Sequence, residues 1–148
     1  MTKQYFSLAQ ANAMLPALNQ AFKRIMQMHN QIHQLYQKLS ATDVDLNPEA
    51  IEFDLDVLNT QELDYLSSLK ILLNAIDEEV AGLFATGCLV KDISQGVVEW
   101  PAWHNEQDIL FSWKYGEKQV AYWHSADTDF EQRESLATLK IALADTIV

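Results

Sequence analysis

One cysteine, Cys88, is all the thiol this chain has. A single thiol excludes an internal disulfide and fits a reducing compartment, where it serves as a small buried apolar residue. The sequence has no Gly-rich phosphate loop, no serine nucleophile elbow, no CxxC pair and no H-E-x-x-H. Those absences remove the commonest nucleotide-binding, hydrolytic, redox and zinc-protease classes. No apolar run reaches the length of a signal-peptide core or a membrane span, so the chain reads as cytoplasmic. Carboxylates are missing from one region only. Residues 1–40 hold Lys3, Lys23, Arg24 and Lys38 and no acid, which gives +4; residues 41–148 hold all 21 acids against six bases, which gives −15. A net charge of −11 repels phosphate backbones and anionic lipid, so neither nucleic acid nor a membrane surface is an expected partner. The basic first segment is expected to lie against acidic segments of the same chain.

What is present is an ordinary hydrophobic fraction, 49%, in 148 residues. That is enough for one domain burying roughly two-thirds of its unfolded surface. Phe6-Ser7-Leu8-Ala9-Gln10 is a helix start: Ser7 and Gln10 can form a capping box, with Phe6 as the hydrophobic staple. From Leu8 through Ala11, Leu15, Leu18, Phe22, Ile25, His29, Ile32 and Tyr36 to Leu39, alternating three-and-four spacing makes a narrow seam suited to another helix. Pro16 frees the carbonyl of Asn12, so a kink or restart is expected near Met14 to Pro16, with the Asn12 side chain answering the freed backbone. His29 and His33 are one turn apart but have no carboxylate or cysteine nearby in sequence, and His29 reads as a seam residue that sets register.

Residues 41–58 are acidic and carry no base. Asp43, Asp45, Asn47 and Asp54 match some calcium-loop positions, yet Pro48 stands where the loop needs glycine. Asn47-Pro48-Glu49 reads instead as the opening of a short helix. Thr60-Gln61-Glu62 then starts a second long helix with the seam Leu66, Leu69, Leu73, Ile76, Val80 and Leu83, and Gly87 ends it. Matching seams predict an antiparallel helical hairpin over 7–86.

After Gly87 the period changes to two. Strands at 88–93 and 97–103 flank Ser94-Gln95-Gly96, a third strand covers Gln107 to Lys114, and a fourth covers Lys118 to His124. Ser135 can cap a C-terminal helix over 134–147 whose Leu136, Leu139, Leu143 and Ile147 share a face. The fold class expected is therefore α+β, a single domain over 1–148: a long antiparallel helical hairpin with a small antiparallel β-meander over 87–126 and a C-terminal helix.

A three-residue turn at 104–106 and a two-residue turn at Gly116-Glu117 would set Glu99 opposite Phe111, Trp113 opposite Val120, and Ile109 opposite His124. One face then carries Val98, Trp100, Leu110, Ser112, Ala121 and Trp123. The other carries Val97, Glu99, Phe111, Trp113, Val120, Tyr122 and His124. The second face is aromatic but includes acid–base groups. It is expected to be covered by the C-terminal helix, buried in a homodimer, or used for a protein partner.

His124 is the centre of the candidate chemistry. Glu117 cannot share an ion with it, since seven strand residues span roughly 23 Å and the two have opposite parity. The catalytic candidates are His124, Asp127, Asp129 and Glu99, with His104 at their edge. His124 and Asp127 are the metal-ligand candidates. Trp113, Tyr122, Glu117 and Arg133 are candidate ligand-binding residues. Arg133 can pair with Asp127, Asp129 or Glu99. No cofactor is implied.

Tyr5-Phe6-Ser7, Ala11-Asn12 and Leu15-Pro16 resemble the Y-F-T…A-N…L-P opening of a bacterial family known as domain of unknown function 2203. Gly87, Lys91-Asp92, Gly96, Glu99-Trp100-Pro101, Trp113, Gly116-Glu117, Tyr122-Trp123-His124, Phe130 and Arg133 continue the resemblance. Ser112 stands where that family tends to have cysteine, which argues against thiol chemistry on this strand. Asp129 and Gln132 stand where it tends to have glycine, so the loop after His124 has its own conformation. The resemblance implies no activity. The leading functional expectation is a non-enzymatic binding or regulatory module that uses the aromatic face or the helical seam for a protein partner. The other is a small metal-dependent or acid–base enzyme centred on His124.

Overall fold

A computed structural model describes residues 4–40 and 60–139. The acidic 41–58 stretch, where a short helix is expected from Asn47-Pro48-Glu49, and the positions Leu143 and Ile147 of the expected C-terminal helix lie outside the described residues. The chain forms two compact units, residues 23–79 and residues 1–22 with 80–148.

Local signals set the helices. The Ser7 hydroxyl accepts from the Gln10 amide at 3.0 Å and the Gln10 side chain accepts from the Ser7 amide at 2.8 Å, closing the capping box that opens α1, Leu8–Ala13. The helix stops at Met14 and α2 restarts over Leu15–Ser40, placing Pro16 in a first turn, where a missing N–H breaks no bond. Asn12 does not turn back on its own freed carbonyl. Its Oδ1 accepts from the Val120 amide at 2.8 Å, 108 residues away.

The α3 helix runs over Thr60–Ala85. Within residues 23–79 the two long helices are antiparallel, as their matched seams predict. Arg24 Nε donates to Glu79 Oε1 at 2.8 Å, and the Lys38 ammonium lies 5.3 Å from the Tyr65 ring centroid. Moving 14 residues forward on α2 thus moves 14 back on α3. Ile25, Ile32 and Leu39 on one helix and Leu66, Leu69 and Ile76 on the other are buried. Gly87 ends the helical run at φ +97°, and a Cβ there would come within 2.6 Å of Gln4 Oε1 and 2.8 Å of the Phe6 ring. Both backbone and packing demand glycine. Cys88 is fully buried, its thiol donating to the Leu83 carbonyl at 3.2 Å, and burial pushes its pKa up.

The sheet is a five-stranded antiparallel meander in the order β1-β2-β3-β4-β5: β1 Leu89–Asp92, β2 Val97–His104, β3 Gln107–Lys114, β4 Tyr122–Ser125 and β5 Glu134–Ser135. The α+β class is therefore as expected. Short 3-10 helices follow at Phe130–Gln132 and Leu136–Leu139. Ser135, expected to cap the C-terminal helix, pairs with Tyr122 as part of β5, and its Oγ also accepts from the Ala137 amide at 3.3 Å at the start of the 3-10 turn Leu136–Leu139.

The register differs from expectation at both central pairings. Asn105 and Glu106 alone form the β2–β3 turn, at φ +49° and +61°. A two-residue turn with both φ positive matches strand twist, but glutamate in that position gives no sequence signal. Glu99 consequently faces Ser112, not Phe111. On the other side β4 begins only at Tyr122, so that Leu110 faces His124 and Phe111 faces Trp123. The chain between them is a loop tied down by Asn12, not a tight Gly116-Glu117 hairpin. Each slip is one residue, and together they exchange only the faces of β3.

Val98, Trp100, Ala102, Ile109, Phe111 and Trp113 therefore share one face, all at most 1% exposed. Trp100 Nε1 donates to Met14 Sδ at 3.1 Å, and the Phe22 and Trp113 ring centroids are 6.2 Å apart. This aromatic face is core, not a surface awaiting a partner. Trp123, expected opposite Trp113, lies on the same face and donates its Nε1 to Thr138 Oγ1 at 2.8 Å.

Candidate functional site

The other face gathers the polar groups. Because the two register slips cancel, Glu99 on β2 and His124 on β4 stay on one face, either side of β3, opposite Ser112 and Leu110 respectively. Glu99 Oε2 and His124 Nε2 are 2.6 Å apart, with side chains 1% and 2% exposed. His124 Nδ1 is 2.8 Å from the Ser125 carbonyl oxygen. A carbonyl oxygen only accepts, so Nδ1 carries a proton and donates. Thr128 supports the same assignment: its hydroxyl donates to the Ser125 carbonyl at 3.0 Å and its oxygen stands 3.3 Å from Nδ1. One further proton must then lie between Nε2 and Oε2, whether the pair is imidazolium–carboxylate or imidazole–carboxylic acid. Either way the pair is neutral overall, which lets it lie buried.

A cleft of about 240 Å³ opens over this pair. Its buried end is Glu99 and His124, Leu110 and Phe130 line it, and Lys91, Ala126 and Asp129 make its exposed part. Of the sequence candidates, Glu99, His124 and Asp129 come together here. Asp127 is exposed in the turn after β4 and does not line the cleft. His104 follows Ala102 in parity and falls on the opposite face from His124. Among the described residues no group of three His, Cys, Asp or Glu side chains is arranged to hold a metal ion.

The candidates Trp113, Tyr122, Glu117 and Arg133 form a separate structural clamp. Arg133 meets Glu117 in a two-pronged pair, Nη1–Oε1 at 3.1 Å and Nη2–Oε2 at 2.6 Å, and not Asp127, Asp129 or Glu99. Its guanidinium lies 4.2 Å from both the Tyr122 and Phe130 ring centroids. Glu117 Oε1 also accepts from the Lys114 amide, and the Glu117 carbonyl accepts from Trp113 Nε1 at 2.9 Å. All four residues are engaged in fixing the loop between β3 and β4.

Sequence reasoning missed Thr128, Phe130, Leu110 and Lys91 as cleft residues. Leu110 was assigned to the opposite face from His124 by the register slip. Thr128 and Phe130 follow β4 in a segment with no periodicity to read. Ser112 was also missed: its Oγ is buried with no hydrogen-bond partner among the described residues. Such an orphan hydroxyl costs about 1–3 kcal/mol. A cysteine, which behaves as a small hydrophobe, would not bear that cost.

No curated protein and no solved structure matches the chain. Among the described residues no helix is long and apolar enough to cross a membrane. A family model described as an uncharacterized conserved protein, DUF2203, matches residues 4–136, which takes in α1, α2, α3, the whole sheet and the cleft, and the chain belongs to that family.

Proposed function

We propose that this chain is a non-enzymatic binding module whose receptor is the cleft over the Glu99–His124 pair. The observation that carries the reading is the engagement of both His124 nitrogens, Nδ1 with the Ser125 carbonyl and Nε2 with Glu99. An acid–base enzyme centred on His124 needs a ring nitrogen within reach of a substrate proton. A ring held at both ends and 2% exposed is suited to fixing the Glu99 carboxyl group for recognition. The cleft sets the apolar side chains of Leu110, Ala126 and Phe130 beside the polar groups of Lys91, Glu99, His124, Thr128 and Asp129, and convergent polar groups in a concave site are what orient a small ligand.

The test is native mass spectrometry of untagged protein purified gently from cells. One small-molecule adduct per chain is expected, and it should be lost from an Ala126→Trp variant that fills the cleft without disturbing the circular dichroism spectrum. A protein without an adduct, or an adduct indifferent to that substitution, overturns the reading. A stoichiometric metal ion lost in His124→Ala would move the site to the enzyme reading.

Self-association is a second part of the proposal, favoured by one observation: Ile71 on α3 is 68% exposed. Leu72, the next residue, is only half-buried, so α3 offers apolar surface outside its seam with α2. We assign that surface to a homodimer. Sedimentation should show a dimer that Ile71→Glu converts to monomer; a monomeric parent protein, or a dimer unaffected by the change, removes this part.

A further inference from the structure

We infer that the cleft takes a small aliphatic ammonium compound at Oε1 of Glu99, an assignment that rests on the cleft being the receptor. Glu99 has two oxygens in unlike situations. Oε2 is held by His124 at 2.6 Å. Oε1 has no hydrogen-bond partner among the described residues, yet it is not among their buried orphan atoms, which are His29 Nε2, His104 Nε2 and Ser112 Oγ. The 1% of Glu99 that remains exposed therefore includes this oxygen, which meets whatever fills the cleft. Leaving an acceptor of this strength without a donor is costly in so buried a place, and a ligand N–H removes the cost.

The free acceptor Oε1 sets what the ligand must offer, a donor. The buried pair is neutral overall and Asp129 at the exposed part balances the single lysine, Lys91, so the cleft carries no net positive charge to oppose an ammonium group. Phe130 presents an aromatic wall and already meets one cation, the Arg133 guanidinium. Leu110 and Phe130 suit a short hydrocarbon chain. The volume, about 240 Å³, equals that of ~8 water molecules, a size for a compact metabolite and not for a nucleotide or peptide. Lys91, at the exposed part, repels a plain amine and attracts the far carboxylate of an amino acid-like one. It is therefore the residue that separates those two kinds of ammonium ligand.

Three probes test this by amide-resonance shifts in nuclear magnetic resonance: n-butylamine, γ-aminobutyrate and butyrate. The first two should shift the Glu99, His124 and Thr128 amides saturably, and butyrate should not. Glu99→Gln, which keeps a hydrogen-bonding partner for His124, should weaken n-butylamine by about tenfold or more through loss of the charged acceptor. Lys91→Met, on an exposed residue, should strengthen n-butylamine and weaken γ-aminobutyrate. Binding of butyrate at the same amides, or an unchanged n-butylamine affinity in Glu99→Gln, overturns the assignment. If Glu99→Gln fails to fold, the opposite shifts in Lys91→Met decide, and their absence overturns it equally. An adduct that Ala126→Trp removes, combined with no n-butylamine binding, would leave the cleft as receptor and reject only the ammonium class.

Discussion

Replacing Glu99 with alanine is expected to lower the unfolding free energy by about 3–5 kcal/mol, read from urea denaturation at neutral pH. The magnitude follows from burial. With side chains 1% and 2% exposed, Glu99 and His124 lie where a charge or a polar atom meets little water beyond what the cleft admits. Removing the carboxylate leaves His124 Nε2 without its 2.6 Å partner, while Nδ1 stays bound to the Ser125 carbonyl. The cleft beside the pair lets water reach part of the vacated space, which places the expected value toward the lower end of the range. His124→Ala should cost a similar amount by stranding Glu99. The double variant should cost clearly less than the two singles added together, because residues that share one proton are not independent. Strict additivity, or a Glu99→Ala cost under about 1 kcal/mol, would show that the pair is not coupled in the folded protein.

The same pair marks how far the sequence could be read. The capping box at Ser7 and Gln10 and the helix restart at Pro16 are local, and local spacing was sufficient for both. The antiparallel course of α2 and α3 was legible because two seams of matching period leave few other ways to be buried. Strand register was not legible. It depended on Asn105 and Glu106 adopting positive φ, and on Asn12 reaching across 108 residues to hold Val120. Neither has a signature in the residues near the strands. That Glu99 and His124 were nonetheless placed on one face is due to two errors of one residue cancelling across β3. His124 does meet a carboxylate, but it is that of Glu99 on a neighbouring strand and not that of Asp127, close in sequence. Sequence proximity favours loop residues, whereas a buried ring is met by the residues that pair across the sheet. Arg133 was expected to pair with Asp127, Asp129 or Glu99; it pairs with Glu117, across 16 residues, and the two together hold the loop between β3 and β4.

Trp113→Ala should be comparably costly, about 3–5 kcal/mol, and for a different reason. Trp113 is fully buried, its ring 6.2 Å from that of Phe22 and 6.3 Å from that of Tyr115. Truncation opens a cavity at the centre of the aromatic face. It also releases the Glu117 carbonyl, which accepts from Trp113 Nε1 at 2.9 Å. Glu117 holds Arg133 and the Lys114 amide, so the loss at the core should spread to the loop between β3 and β4. Trp113→Phe separates the two effects, since it keeps most of the ring and removes only the donor. Its stability cost should be well below that of alanine, while hydrogen exchange at Glu117 and Gln119 should rise in both variants. Faster exchange confined to the alanine variant would mean that packing alone orders the loop. A stability cost under about 1 kcal/mol for Trp113→Ala would place this tryptophan outside the core, and with it the register that puts Trp113 beside Trp100 and Phe111 and leaves Glu99 and His124 together on the other face.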